Sequence, residues 1–166
     1  MPVISAKRMQ DRRDSILDAA REAFARAGFE GTSIADIARR AGVSDGLVYR
    51  YFTSKRDLLN AVLTAFYERT MVDLESIAAR EAPFETRFHD LIRRHIEGFV
   101  IDTDLCRLFI SEVRTASDYQ GSAVQQLNRR YTSILVRVIQ GGIASGDVRS
   151  DIDIRLVRDV IFGAIE

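Results

Sequence analysis

Little in this chain would place it outside a reducing compartment or inside a membrane. It has 1 cysteine among 166 residues, which excludes an intramolecular disulfide. The N-terminus lacks the charged, apolar, small-residue order of a secretion signal, and no apolar run approaches the roughly 20 residues that span a bilayer. A cytosolic protein without membrane partners is therefore expected. Proline is scarce at 2 residues and tryptophan is absent, while Ala, Ile, Leu and Arg are abundant, so helix formers meet few breakers. The expected fold class is all-α.

Histidine is equally sparse. His89 and His95 lie six residues apart rather than at the i, i+4 spacing of a helical metal pair. There is no paired Glu-x-x-His of a di-metal bundle, and neither histidine has a serine or cysteine arrangement suggesting a nucleophile. No catalytic residue, metal or cofactor is expected. Cys106, in the apolar phrase LCRLFI, reads as a small core residue rather than a redox sensor.

What is present is globular: 46% hydrophobic and 29% charged residues are not the values of a disordered chain. The net charge of zero hides an asymmetry. Up to Asn60 there are 11 Lys and Arg against 8 Asp and Glu, and the remainder has 13 against 16. A mildly basic head on a mildly acidic body fits a DNA-binding region joined to one that does not bind DNA. No repeat of 20 to 50 residues and no sustained heptad is found.

The pattern is densest from Thr32 to Lys55. Ile34, Ile37, Ala38 and Ala41 share one helical face. Ser33 and Asp36 form a capping box, and Gly42 stands where a helix end favours positive φ. After Val43, Ser44 is a second N-cap, and Leu47, Val48, Tyr51 and Phe52 describe a short second helix. Two capped helices so close cannot lie antiparallel, and a steep crossing presents the second to a DNA major groove. An ordinary helical corner would give the same periodicity. Ser44, Asp45, Gly46, Leu47, Tyr49, Arg50 and Tyr51 are what this helix offers to DNA. Gly46 permits close backbone approach, Leu47 suits a thymine methyl, Arg50 a guanine or phosphate, and the tyrosines a phosphate. Lys55 opens the next helix, where ammonium and amides favour phosphate.

The other helices follow in order. One is expected from about Asp11 to Ala27, ending at Gly28, with residues before it as a frayed terminus or basic arm. A long helix capped by Ser54 carries Leu58, Leu59, Val62, Leu63, Phe66, Met71, Leu74 and Ile77. After Pro83, Phe84 to about Ile101 turns Phe88, Leu91, Ile92, His95, Phe99 and Val100 inward, and Leu105 to Val113 reads as another helix. Ser122 to Ser145 contains Gly141 and Gly142, each costing about 1 kcal/mol in a helix interior but permitting close approach. A last helix starts at Asp151 or Asp153, and its stripe is still running at Glu166.

The ordered residues Ala19, Ala20, Phe24, Gly28, Phe29, Thr32, Ser33, Ile37, Ala38, Ala41, Gly42, Val43, Ser44, Gly46, Tyr49, Tyr51, Phe52, Lys55, Leu58 and Leu59 resemble the N-terminal part of the TetR family of transcriptional regulators. The resemblance implies a three-helix DNA-binding head over residues 1–53 and a helical effector-binding and dimerisation body over 54–166. It implies DNA contacts at Ser33, Ser44, Gly46, Tyr49, Tyr51 and Lys55. It also implies a small effector held between body helices and a homodimer formed through the last two helices, here Val157, Val160, Ile161, Ala164 and Ile165. Family members usually carry one helix beyond the last residue here, so a truncated or smaller dimer seam is expected.

The body has an aromatic and apolar excess that suits either a plain core or an apolar pocket. The candidate effector residues are Phe66, Phe88, Ile92, His95, Phe99, Phe109, Val113, Arg114 and Tyr131. LFISEVRTAS and VRDVIFGAIE are similar to phrases in the branch that controls fatty acid degradation. That likeness implies a fatty acyl-CoA effector, with Arg107 and Arg114 near its acidic head. The leading expectation is a repressor that binds a pseudo-palindromic operator on double-stranded DNA as a dimer and is released by its effector. An interaction module whose head no longer binds DNA, suggested by Asp45, and a small metal-binding helical enzyme are the alternatives.

Overall fold

Local chemistry sets most helix boundaries. The computed structural model describes the backbone of residues 2–165 and the side chains of 6–164, and among them there is no strand. The elements are α1 (Pro2–Ala27), α2 (Ile34–Ala41), α3 (Asp45–Tyr51), α4 (Lys55–Ala79), α5 (Phe84–Ile101), α6 (Thr103–Leu108), a π-helical turn (Phe109–Val113), α7 (Ala123–Ser145) and α8 (Ile154–Ile165). The fold is all-α. The Asp36 amide donates to Ser33 Oγ at 3.1 Å, and the Gln125 amide to Ser122 Oγ at 3.1 Å. At the start of α8 it is Asp153, rather than Asp151, that caps, accepting from the amides of Arg155 and Leu156 at 2.9 and 3.2 Å. Gly42 and Gly146 close α2 and α7 in the left-handed region at φ 66° and 83°.

The chain forms two compact units: one combines the residues up to Ala65 with Asp104–Thr115, and the other combines Phe66–Thr103 with the residues from Ala116 onward. In the first, α1 packs on α2 and α2 on α3. Ile16, Ala20, Phe24, Ile37, Val48, Leu58 and Leu59 are fully or almost fully buried, and each large one contributes about 1.5–3 kcal/mol through burial. Cys106 is buried as well, as a small core residue would be.

Two features of this unit differ from the sequence expectation. The first helix begins at Pro2, not near Asp11. Proline at a first helical position forfeits only an amide that would be orphaned anyway, and Ala6 to Gln10 are good helix formers that stay exposed. Gln10 Nε2 adds a bond to Asp14 Oδ1 at 2.8 Å. This extension needs no apolar face, which is why periodicity missed it. The second difference is the π turn, in which the Arg114 amide donates to Phe109 O at 2.8 Å, in place of one regular helix through Val113. A single extra residue in a turn leaves the spacing of a short apolar run almost unchanged.

In the second unit α5 packs on α7 and α7 on α8. Leu91, Val124, Ile134, Leu135, Val138 and Ile139 form its core. Of the two consecutive glycines, only Gly142 serves close approach: a Cβ there would lie 2.5 Å from Phe84 Cδ2, whereas one on Gly141 would meet nothing within 4 Å. The Phe84 ring, stacked on Phe88 at 5.5 Å, occupies the space a side chain would need. Val100 does not face inward as expected; it is 72% exposed, because Leu91, His95 and Gly98 define the buried arc of α5 and Val100 falls outside it.

Candidate DNA interface and effector cavity

Helix α3 is held by one buried residue and presents the others. Val48 is fully buried and Phe52, its C-cap, nearly so, while Ser44, Asp45, Gly46, Tyr49 and Arg50 are exposed and Leu47 and Tyr51 half-buried. Ser44 Oγ accepts from the Leu47 amide at 3.3 Å, which fixes the start of the helix. Tyr49, at 55% exposure, is an outward aromatic rather than part of the head's core. Phe52 is core, with the Arg13 guanidinium 5.5 Å above its ring. Ser33 is exposed at the start of α2. Its hydroxyl, then the Arg39 guanidinium, hold the Asp36 carboxyl below the usual carboxylate range.

The turn between α1 and α2 is clamped from several directions. Lys55 Nζ donates to Phe29 O at 2.7 Å and to Thr32 O at 3.0 Å, and it lies 4.3 Å from the Phe29 ring centroid. Two of its three N–H donors are thus directed at carbonyls, which leaves one for a phosphate. Thr32, buried, donates to Gly28 O at 2.7 Å. From the π turn, Glu112 Oε2 accepts from the Phe29 amide at 3.2 Å. The one sign of this role in the sequence is that Glu112 is an acidic residue inside the apolar run from Leu105 to Val113. Gly28 adopts φ 71° here, a value that favours glycine.

In the second unit a histidine sits inside an aromatic box. His95 is 5% exposed, and its Nδ1 lies 2.5 Å from Tyr131 Oη. Phe99 and Phe162 meet the imidazole edge-on at 5.1 and 4.7 Å. Burial pushes its pKa down from 6.5 to about 4, so the ring is neutral at physiological pH. Its Nε2 is buried without a hydrogen-bond partner. A cavity of about 20 Å³ adjoins it, lined by Leu74, Leu91, Ile92, His95, Tyr131, Ile134, Leu135, Ile161 and Phe162. Nearby, Tyr67 Oη donates to Asn128 Oδ1 at 3.2 Å, and Asn128 Nδ2 donates to Tyr119 Oη at 3.1 Å.

Of the candidate effector residues, Ile92, His95 and Tyr131 line this cavity and Phe99 touches His95. Phe88 lies beside Phe84, and Phe66 meets Tyr67 edge-on at 5.7 Å. Phe109, Val113 and Arg114 belong to the first unit and are not brought to the cavity. Phe162 also lines the cavity; it lies outside the stripe of Val157, Val160, Ile161, Ala164 and Ile165 expected to form a dimer seam, and nothing in the spacing singles it out. Within that stripe Val160, at 59% exposure, and Ala164 are open and Val157 half-buried, while Ile161 lines the cavity. The Ile165 side chain lies outside the described residues.

A capped, outward-facing short helix behind a capped partner, joined to an all-helical unit with an apolar cavity, defines a helix-turn-helix transcription regulator. The chain belongs to the TetR family: residues 16–62 match the bacterial regulatory proteins, tetR family, and residues 81–166 match the tetracyclin repressor-like C-terminal domain. It is similar to the fatty acid metabolism regulator protein of Bacillus subtilis (strain 168), at 28% identity over 91% of this chain and 78% of that protein. The structure resembles that of the transcriptional regulator FadR from Bacillus subtilis in complex with stearoyl-CoA (29% identity, TM-score 0.77, 91% of this chain and 81% of that one). It also resembles the ketosteroid transcriptional regulator KstR2 of Mycobacterium tuberculosis (27% identity, TM-score 0.73, 93% and 79%). The chain is a DNA-binding regulator with a ligand-responsive body and is not an enzyme. No described helix is long and apolar enough to cross a membrane, and no group of three or more potential metal ligands occurs among the described residues.

Proposed function

We propose that this protein is a cytosolic repressor that binds a pseudo-palindromic operator as a homodimer and is released by a small apolar effector of the acyl-CoA type. The observation that carries the reading is the exposed face of α3: Ser44, Asp45, Gly46, Tyr49 and Arg50 project from a helix anchored by Val48. In this reading Arg50 reads a base or phosphate, Leu47 a thymine methyl, and Ser33, Ser44, Tyr49, Tyr51 and the third donor of Lys55 the backbone. So few long polar side chains make phosphate contacts and half-site spacing as important as base readout.

The stearoyl-CoA bound by a relative supports an acyl effector. A cavity of about 20 Å³ is far smaller than the few hundred Å³ of ordinary ligand pockets. Entry of a chain therefore requires the half-exposed α8 residues Ile161 and Phe162 to move. An effector releases DNA only if it binds the two arrangements of the protein with unequal affinity.

Fluorescence anisotropy with the chain's own upstream DNA tests this reading. Selective, salt-sensitive binding is expected, with Arg50→Ala weakening it by about 10- to 100-fold and stearoyl-CoA reversing it. Binding that ignores DNA sequence would refute the operator assignment, and DNA retained at saturating stearoyl-CoA would refute the effector assignment.

A further inference from the structure

His95 lines an apolar cavity, and its Nε2 is buried without a hydrogen-bond partner. The exposed apolar strip on α5 around Val100 has nothing that identifies what would cover it. Cys106 is the one cysteine and is buried, which by itself is no site, and the Arg26, Arg39, Arg40 hollow holds Asp36 as well. Among the described residues, His95 joins a cavity to an unmet chemical demand.

We propose that His95, held by Tyr131, selects apolar effectors that carry an uncharged oxygen, as in an ester, thioester, ketone or alcohol, over those that carry a free carboxylate. This inference rests on the reading of the second unit as the effector-binding part. A buried donor or acceptor without a partner is costly, so a ligand that completes it gains more than one that only fills space. If the Tyr131 hydroxyl, 2.5 Å from Nδ1, donates to it, the neutral ring carries its proton on Nε2, and Nε2 donates to the ligand oxygen. No other residue lining the cavity is ionisable except Tyr131, and none is a lysine or arginine. A carboxylate would thus lose its hydration without gaining a cation, whereas an uncharged oxygen loses far less. The volume of about 20 Å³ admits one oxygen of water size. The apolar tail then takes the place of Phe162, whose ring rests edge-on against the imidazole.

The test titrates the full-length chain at pH 7.5 with methyl octanoate, octanoate and octane, following thermal stabilisation and calorimetric heat. Methyl octanoate is expected to bind at least about 10-fold more tightly than either of the others, a ratio near 1.4 kcal/mol. His95→Phe, which keeps a ring and removes both nitrogens, should abolish the advantage of ester over octane. Because that variant also removes the partner of Tyr131, a second measurement uses the unmutated protein. With only 2 histidines, ¹⁵N-labelled imidazole signals separate readily, and ester binding should shift the protonated Nε2 of His95 while octane does not. Equal binding of ester and octane, an unshifted Nε2, a proton found on Nδ1, or octanoate binding as tightly as the ester would overturn the selectivity and leave the effector pocket standing. Binding of none of the three would remove the pocket reading and the selectivity together.

Discussion

The first and second units of this protein build their functional surfaces in opposite ways. The exposed face of α3 is set by neighbours in sequence: Ser33 and Asp36 start one helix, Gly42 ends it, and Ser44 starts the next, so local capping aims Tyr49 and Arg50 outward. The cavity of the second unit needs residues from α4, α5, α7 and α8, with His95 and Tyr131 separated by 36 positions. A surface made by capping tolerates the loss of one bond. A buried polar cluster has no solvent to replace a lost partner, so the same chemical change costs more there.

The largest predicted effect tests that difference through pH. His95 has a folded pKa near 4 against 6.5 unperturbed, so the unfolded chain takes up its proton first as the pH falls. The stabilisation is intact above about pH 6.5 and is lost progressively down to pH 4, by up to about 3 kcal/mol. Urea unfolding at pH 7.5 and 4.5 should show this loss, and His95→Phe should flatten it. An unchanged slope in the variant would mean that other groups carry the acid sensitivity.

Lys55→Met comes next, as the place where the first unit relies on tertiary contacts. Losing two charge-assisted bonds to the Phe29 and Thr32 carbonyls should destabilise the fold by about 1–3 kcal/mol. If Lys55 also touches phosphate, the salt dependence of operator binding falls by about one unit of slope. A variant with unaltered melting temperature but a reduced slope would show that its work is wholly at the DNA.

The adjacent glycines sharpen the contrast within one helix. Gly142→Ala should cost about 1–3 kcal/mol, because the added carbon collides with the Phe84 ring. Gly141→Ala, in open space, should stabilise by up to about 1 kcal/mol through helix propensity. Equal effects in thermal melts would refute the packing role of Gly142. The smallest change, Ser33→Ala, removes an exposed cap and should cost about 1 kcal/mol, read as a modest fall in denaturant midpoint with the slope unchanged.

Legibility followed the range of the interaction. Ser33, Gly42, Ser44, Ser54, Ser122 and Gly146 mark helix ends wherever they occur, so the helix-turn-helix, the start of α4 and both ends of α7 were readable. The extension of α1 to Pro2 was not, since it buries no stripe, nor was the π turn, which one added residue creates. Within the candidate effector set, apolar type marked Ile92, Phe99 and Phe109 alike, although only the first two lie in or beside the cavity. Hydrophobicity says that a side chain avoids water and nothing about which of two cores receives it.

The sequence by itself determined the all-α class, the caps and the capped pair that carries Tyr49 and Arg50, because those depend on dihedral preferences and bonds spanning three or four residues. Only the tertiary structure decided that Lys55 clamps a turn 23 to 26 positions away, that Glu112 reaches the Phe29 amide, and that His95 faces an apolar cavity with Nε2 unpaired. Those outcomes depend on which distant surfaces meet, and burial then turns an ordinary imidazole into a neutral, partner-seeking group.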